Sequence, residues 1–184
     1  MALERKKTLN VFRDARDAFG SYDDFPVGPK GTDPMPHLSR NRVAQPFFVV
    51  CEADQVLVQM AGEGELLLRE TDVERMALAP GDAVYVPAGV PTRVVPRGEN
   101  LQIRLKAEPP AREAVAWYCD ACGDLVHART LGGGILQQEY WDAVQTFAAD
   151  AALRTCACGT VHPAPALGDI AWPAVAEAIR AEGA

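Results

Sequence analysis

The sequence predicts an all-β fold, an antiparallel β-barrel or jelly roll, with a small α-containing appendage on its C-terminal side. Three observations support this prediction. Short β-type runs follow one another between residues 47 and 107, Gly- and Pro-rich turns separate several of them, and two close cysteine pairs come after residue 117. Many short strands with regular turn signals are typical of antiparallel sandwiches and barrels.

The first 45 residues are expected to form an N-terminal arm and loop. The stretch from Asn10 to Ala18 has the pattern of a short helix, with Asn10 as its cap. The segment FPVGPKGTDPMPH further on is dense in Pro and Gly, and this composition predicts an extended loop.

The barrel core is predicted over residues 46–108. Its strands alternate with turn sequences such as AGEGE and APGD, which favour tight reversals of the chain. The segment EPPAREA then breaks the β pattern and is interpreted as a linker. The predicted strands are FFVV, QVLVQM, ELLLRE, ERMALA, DAVYVPA, TRVVP and LQIRLK.

Two helices are predicted beyond the linker. The cysteine-containing segment 117–163 encloses one from about Gln137 to Leu153, because apolar residues recur there at helical spacing. We interpret the aromatic residues of this stretch as core packing. The second helix is predicted from Ile170 to Ala181, within the terminal segment 164–184. The apolar positions of the first helix are Tyr140, Val144, Phe147, Ala148 and Ala151.

Composition and charge exclude several classes of function. The 184 residues are 48% hydrophobic and carry a formal net charge of −7, which argues against non-specific binding to nucleic acid or to an anionic membrane. No apolar run has the length of a bilayer-spanning helix. The first residues, MALERKKTLN, lack the apolar core of a secretory signal, so a cytoplasmic location is expected.

The cysteines predict a metal site. Cys119 and Cys122 form a CxxC pair, and Cys156 and Cys158 form a CxC pair about thirty residues later. Four thiolates in two close pairs can surround one zinc or iron ion tetrahedrally. A glycine follows each pair and lets backbone N–H groups turn toward the sulfurs. A thiol–disulfide redox pair at the CxxC motif is the alternative.

The segment from Gly81 to Thr92 resembles the second sequence motif of the cupins, G-x5-P-x-G-x2-H. Every position of that motif matches except the last, where Thr92 replaces the metal-binding histidine. The first cupin motif, H-x-H-x3-E-x6-G, is anchored on Gly62. This alignment puts Gln55 at the carboxylate position and Val49 and Cys51 at the histidine positions. A shifted register puts Glu52 at the carboxylate position instead.

The cysteine-rich segments WYCDACGDLVH and CACGTVHP resemble the C-terminal part of bacterial and fungal-type 3-hydroxyanthranilate 3,4-dioxygenases. The resemblance covers roughly residues 45–163 and implies a cupin barrel with a catalytic Fe(II), plus a second, rubredoxin-like iron or zinc site. This chain departs from the second CxxC of the family, because Thr155 stands where its first cysteine falls. His162 is close enough in sequence to be a substitute ligand.

The resemblance implies a barrel iron held by two histidines and one glutamate. The matching positions here are Val49 or Cys51, Gln55 or Glu52, and Thr92, and none supplies an imidazole. We therefore expect the barrel Fe(II) site to be lost. Cys51, Glu52, Gln55 and Thr92 remain candidates for any residual chemistry, although Cys51 also fits the role of a small apolar core residue.

The family also implies arginines that hold the substrate carboxylate. Arg40 or Arg42 before the first core strand, and Arg93 or Arg97 after the PxG turn, are the candidates. Arg104 stands where the family has an acidic residue, which favours a more anionic ligand. Strand alternation puts Arg104 on one face with two other polar residues of LQIRLK, although the sequence does not decide which face lines the barrel. Each arginine could equally be a solvated strand-edge charge.

Three functions are compatible with these residues. The first is a divergent dioxygenase-like cupin without barrel iron, which binds a small aromatic or carboxylate ligand and catalyses at most a metal-free step. The second is an active Fe(II) ring-cleaving dioxygenase that recruits His37. The third is a non-enzymatic structural or dimerisation module. A homodimer is expected in each case, because cupins often pair their barrels.

Overall fold

The structure is a computed structural model that describes residues 10–14, 24–168 and 170–183. A first helix, α1, covers Val11–Asp14. The rest of the predicted N-terminal helix, 15–18, lies outside the described residues. No helix in the described part of the chain is both long and apolar enough to cross a membrane.

The seven strands predicted for the barrel core are all present, with small shifts at their ends. The strands in chain order are β1 (Phe25–Pro26), β2 (Met35–Asn41), β3 (Phe48–Cys51), β4 (Gln55–Ala61), β5 (Gly64–Leu68), β6 (Arg75–Leu78), β7 (Ala83–Val86), β8 (Thr92–Pro96), β9 (Asn100–Lys106), β10 (Glu113–Tyr118) and β11 (Leu125–Thr130). They form two antiparallel sheets, in the orders β1-β2-β9-β4-β7 and β11-β10-β3-β8-β5-β6.

The two sheets also include four strands outside the predicted core 46–108, namely β1, β2, β10 and β11. β2 lies in the segment predicted to be a loop, and it pairs with β9 over its full length. Its other neighbour, β1, is only two residues long, so a proline-containing strand is tolerated near this edge. β10 begins inside the predicted linker and pairs with both β3 and β11. The arm and linker boundaries inferred from composition are therefore not structural boundaries.

The glycine of the first barrel motif is required by the turn between β4 and β5. Gly62 has a φ of +69°, and a Cβ at this position would lie 2.3 Å from the backbone oxygen of Glu99. A larger residue therefore meets both a strained backbone conformation and a collision with a neighbouring chain segment. The motif alignment that begins at this glycine has a clear steric basis.

The polar face of β9 lines the barrel interior. Gln102, Arg104 and Lys106 border the internal cavity, whereas Leu101 packs on the opposite side against Val27 and Leu38. Strand alternation predicted this division but not its direction. The barrel interior consequently contains charged groups.

Two helices cover the barrel. Helix α2 (Leu136–Ala149) is shorter than predicted, because the chain turns after Asp150 toward the second cysteine pair. Helix α3 (Trp172–Gly183) starts two residues later than predicted, with Pro173 in its first turn, where proline is well tolerated. Tyr140 and Trp172 pack against Phe47 with ring centroids 5.3 Å away, so both helices share the barrel core.

Candidate functional site

The structure brings together the positions that the motif alignment matched to barrel metal ligands. Val49 on β3 lies opposite Thr92 on β8, and both are buried. Gln55 starts β4 and is 3% exposed, whereas Glu52 is exposed at the surface. Of the two residues matched to the carboxylate position, Gln55 therefore faces the barrel interior and Glu52 does not. The buried thiol of Cys51 contacts Gln55, and burial raises the pKa of this thiol.

Arg104 occupies the space beside these positions. Its Nη1 donates a hydrogen bond to Gln55 Oε1 over 3.0 Å. A divalent cation needs anionic or imidazole donors, and here a guanidinium already binds the one carbonyl oxygen that the Gln55 side chain offers. The residues present do not fit a ferrous site, because they supply no imidazole and no carboxylate and place a positive charge among the remaining donors.

A buried cluster of charges lies next to Arg104. Lys106 Nζ is 2.7 Å from Asp24 Oδ2 and 3.2 Å from Glu113 Oε1. The hydroxyl of Tyr140 donates to Glu113 Oε2, and His37 Nδ1 lies 2.9 Å from the backbone oxygen of Asp24. Two cations, Arg104 and Lys106, thus face two carboxylates. The interior compensates its own charge without a metal ion.

The pKa values of this cluster follow from burial and pairing. Burial raises the pKa of Asp24, but the nearby charges of Lys106, His37 and Arg104 outweigh this effect and lower the pKa to about 2. Burial lowers the pKa of Lys106, but Asp24 and Glu113 more than compensate and raise it. Burial is the main reason that the pKa of His37 is lowered. The Asp24–Lys106 pair is therefore charged at neutral pH, and His37 is neutral.

The cavity left inside the barrel is small. Arg104, Lys106, Asp24, Tyr140 and Trp172 are among its lining residues, and its volume is about 30 Å³. This is room for about two water molecules, whereas a buried benzene ring needs a cavity of about 150 Å³. The expectation of an aromatic ligand is therefore not met by the barrel cavity of this structure, and only a small carboxylate is compatible with it.

Four of the five candidate arginines lie away from this cavity. Arg40 is on the outer face of β2, opposite Leu101. Arg42 and Arg97 are exposed and pair with Glu99 and Glu65, each over 2.7 Å. Arg93 borders a groove outside the barrel, and its Nε donates to the backbone oxygen of Gln45. Only Arg104 lines the barrel cavity.

The four cysteines converge at the C-terminal side. Their sulfur atoms all lie within 4.8 Å of one another, with 3.7 Å between Cys119 and Cys158 and 3.6 Å between Cys122 and Cys156. A tetrahedron of thiolates about 2.3 Å from a zinc ion has edges of about 3.8 Å. The residues therefore fit one zinc or iron ion. In the described part of the chain, no other group of three or more His, Cys, Asp or Glu side chains has this proximity.

Backbone N–H groups point at the sulfurs in both loops. Those of Ala121 and Cys122 hydrogen-bond to Cys119, and the N–H of Thr160 hydrogen-bonds to Cys158. Gly123 and Gly159 have φ values of +82° and +90°, which permit these turns. The CxC loop closes with a hydrogen bond from Cys156 N to Thr160 O, as the CxxC loop closes with one from Cys119 N to Asp124 O. The CxC loop therefore forms a similar turn although it has one residue fewer between its cysteines.

His162 lies outside the group of four sulfurs. Its ring hydrogen-bonds to Cys119. Burial raises the pKa of the Cys119 thiol, but the N–H groups of Cys122 and Ala121 and the ring of His162 lower it to about 6. His162 is thus a hydrogen-bonding neighbour of the metal ligands. Thr155 and Val161 form a β-bridge that fixes the base of the CxC loop.

Sequence reasoning missed the acidic members of the barrel cluster. Asp24 belongs to the segment before β1 and Glu113 to the predicted linker, where single carboxylates give no signal. Tyr140 was assigned to core packing, and it does pack there, but its hydroxyl also reaches Glu113. The one available signal was the alternation that put Lys106 on the same face as Arg104.

Comparison with known proteins gives a consistent relationship. The chain is 32% identical over 108 residues to 3-hydroxyanthranilate 3,4-dioxygenase of Jannaschia sp. (strain CCS1), with 55% of this chain and 60% of the relative covered. It is 33% identical over 121 residues to the protein of the same name from Ruegeria pomeroyi, with 64% and 63% covered. The chain resembles the 3-hydroxyanthranilate 3,4-dioxygenases. It spans about 60% of the length of these relatives. No protein-family model matches it.

Two solved structures share the barrel fold of this chain. The hydroquinone 1,2-dioxygenase of Sphingomonas sp. TTNP3 in complex with 4-nitrophenol matches with a TM-score of 0.50 and 11% identity, over 55% of this chain and 32% of that one. A second hydroquinone 1,2-dioxygenase, in complex with Fe3+, matches with a TM-score of 0.50 and 12% identity, over 54% and 32%. At such low identity the match concerns the fold alone.

Proposed function

We propose that this protein is a divergent cupin related to 3-hydroxyanthranilate 3,4-dioxygenases that holds no Fe(II) in its barrel and opens no aromatic ring. One observation carries the proposal: Val49, Cys51, Gln55 and Thr92 occupy the matched ligand positions, and the guanidinium of Arg104 binds Gln55. These side chains cannot hold ferrous ion with three strong donors. No observation favours the recruitment of His37, which is bonded to Asp24.

The barrel supports binding of a small carboxylate. Arg104 and Lys106 supply two cations at the cavity, and a carboxylate of acetate size would take the place of water beside them. Any chemistry would be metal-free. Burial and Glu113 raise the pKa of Tyr140 well above its ordinary value, so its hydroxyl stays protonated and acts as a hydrogen-bond donor.

The four cysteines are proposed to bind one zinc or iron ion with a structural role. The ion would join the loop after β10 to the loop after α2. Clustered thiolates favour a reducing compartment, so the cytoplasm remains the proposed location. A homodimer is also proposed. The exposed ring of Tyr85 and the half-buried Val56 and Val58 on the outer face of the barrel support it.

Metal content and oxygen uptake test the proposal directly. The purified protein would be reconstituted anaerobically with excess Fe(II), desalted, and analysed for iron and zinc by mass spectrometry. We expect one metal ion per chain, and none after Cys119→Ser combined with Cys156→Ser. Oxygen uptake with 3-hydroxyanthranilate should stay at the level of the buffer. A second, oxygen-labile iron together with ring opening would overturn the proposal in favour of an active dioxygenase.

Binding of acetate or formate distinguishes a ligand-binding barrel from a purely structural one. Titration followed by amide chemical shifts should perturb residues of β9, and Arg104→Gln should remove this response. If neither anion shifts these signals in the folded protein, the barrel is a structural platform, which is the third function considered.

A further inference from the structure

A pocket outside the barrel has the size and walls of a small-molecule site. It lies where the chain segment 108–113, the loop that leads into α2, and helix α3 meet beside β2, and its volume is about 310 Å³. Ligand sites in proteins are typically about 300–1,000 Å³. Apolar wall comes from Leu131, Ile135, Leu136 and Ile179. We call this cavity the helix pocket.

One carbonyl group determines the hydrogen-bonding character of two polar residues that border the helix pocket. His37 Nδ1 lies 2.9 Å from the backbone oxygen of Asp24, and Gln137 Nε2 donates to the same oxygen over 3.0 Å. A carbonyl oxygen only accepts hydrogen bonds, so Nδ1 of His37 carries its proton. Burial lowers the pKa of His37, so the ring is neutral at neutral pH and its Nε2 is an acceptor.

The other polar atoms of these two side chains are available to a ligand. In the described part of the chain, neither His37 Nε2 nor Gln137 Oε1 has a hydrogen-bond partner, and neither atom is sealed from solvent. The nitrogens that hold the Asp24 carbonyl are on one side of each group, and these acceptor atoms are on the other. This wall of the pocket therefore offers two neutral acceptors and no donor from these side chains.

Glu108 adds a negative charge to the helix pocket. Its side chain is half-buried, and its carboxylate has no ion pair or hydrogen bond within the described residues. Glu113 also borders the pocket, but Lys106 and Tyr140 already bind its carboxylate. Arg112 is exposed at the same wall and forms no ion pair with Glu108 in the described structure. The half-buried charge without a partner is therefore negative.

Neutral acceptors, a carboxylate without a partner and apolar walls together fit one chemical class. A primary ammonium group has three N–H donors and no acceptor, so it matches Glu108 and the acceptors of His37 and Gln137. The carbon body of such a molecule would contact the apolar walls. We propose that the helix pocket binds a small primary amine with an apolar body. The pocket is separate from the barrel cavity, so this proposal does not rest on the proposed function of the barrel.

Calorimetric titration of the metal-loaded full chain with cyclohexylmethylamine tests the site, and we expect one binding site per chain. Cyclohexylmethanol, which is uncharged, and cyclohexanecarboxylate, which has the opposite charge, should bind at least about tenfold more weakly, because the charge-assisted hydrogen bond to Glu108 is lost. Equal affinity for the alcohol, tighter binding of the carboxylate, or no binding of the amine up to about 10 mM would overturn the proposal.

Removal of the carboxylate charge tests the assigned contact. Glu108→Gln keeps the size of the side chain and should weaken binding of the amine at least about tenfold. Glu74→Gln is the matched control, because Glu74 is exposed just before β6 and does not border the pocket, and it should leave the affinity within about twofold. Equal affinities of the wild type and Glu108→Gln would refute the contact and the proposal with it.

Two further variants keep the test decisive if Glu108→Gln affects folding. Ala111→Leu adds three carbons to the pocket wall with Glu108 intact, and it should also reduce binding at least about tenfold. Arg112→Gln removes a nearby positive charge, so the affinity for the amine should stay the same or rise up to about threefold. Unchanged affinity in Ala111→Leu would place the amine elsewhere, and a tenfold loss in Arg112→Gln would indicate an anion site. Either result overturns the proposal.

Discussion

The barrel centre and the four-cysteine cluster show opposite outcomes at two places where the related dioxygenases resemble this chain. In the barrel, Val49, Gln55 and Thr92 stand at the positions that the motif alignment matches to metal ligands, and none of them is a strong metal donor. In the cluster, the sequence spacing changes from CxxC to CxC, yet four sulfurs still converge within 4.8 Å. We infer from this comparison that donor identity matters more than loop length in deciding whether such a site can hold a metal ion.

The two regions also differ in how they neutralise charge. In the cluster, hydrogen bonds from Thr160 lower the pKa of Cys158, and the N–H groups of Cys122 and Ala121 lower that of Cys119 against the effect of burial. Such sulfurs favour a bound cation. The barrel has its own cations, Arg104 and Lys106, facing Asp24 and Glu113. An added metal ion would complete the first region and disturb the second.

Removal of one sulfur from the four-cysteine cluster is the strongest test of its difference from the barrel, and the largest effect is expected there. Cys119→Ser should lower the metal affinity of the cluster by more than about 100-fold, because hydroxyl oxygen is a poor ligand for zinc or iron. Metal content after chelator challenge measures the effect. Cys51→Ser is the matched control, since Cys51 lies in β3 away from the cluster, and it should retain one ion per chain. Equal metal loss in both variants would contradict the assignment.

A large loss of stability is expected when the barrel loses its central cation. Lys106→Met leaves Asp24 and Glu113 facing each other in a buried site and should cost about 3–5 kcal/mol of unfolding free energy. Urea denaturation of the metal-loaded protein measures it. Arg97→Met removes an exposed ion pair and should cost less than about 1 kcal/mol. Similar costs in the two variants would mean that the barrel cluster does not stabilise the fold.

The pH dependence of the unfolding free energy tests whether the buried charges of the barrel stabilise the fold. The pKa of Asp24 falls from 3.8 to about 2 on folding, so its contribution is fully present above about pH 4 and is lost as the pH falls toward 2. The contribution is about 2 kcal/mol. Unfolding free energies of the wild type and Asp24→Asn should therefore differ more at pH 5 than at pH 2. A constant difference would show that Asp24 is not ionised in the folded barrel.

The smallest effect is expected beside the cluster. His162→Phe removes the hydrogen bond to Cys119 and should accelerate metal release to a chelator about tenfold. His127→Phe is the control, because the His127 ring stacks on Trp117. Equal release rates in the two variants would show that the hydrogen bond from His162 to Cys119 does not stabilise the bound metal ion.

Local patterns predicted much of the fold. The seven core strands, the two later helices and the meeting of four cysteines follow from alternation, turns and pair spacing. β2 was missed because it overlaps a Pro- and Gly-rich segment that resembles a loop, and its stability comes from pairing with β9, about 60 to 70 positions away. Asp24 and Glu113 were missed because no local pattern distinguishes a carboxylate that meets a distant lysine from a solvated one.

The bond between Lys106 and Asp24 joins groups that are 82 positions apart, and Gln137 of α2 reaches back 113 positions to the Asp24 backbone. During synthesis on the ribosome, Lys106 and Glu113 therefore emerge before α2 exists to cover them. Until that helix docks, water must solvate both groups. The nascent barrel should consequently remain open and sensitive to protease, and its closure should be among the late events of folding.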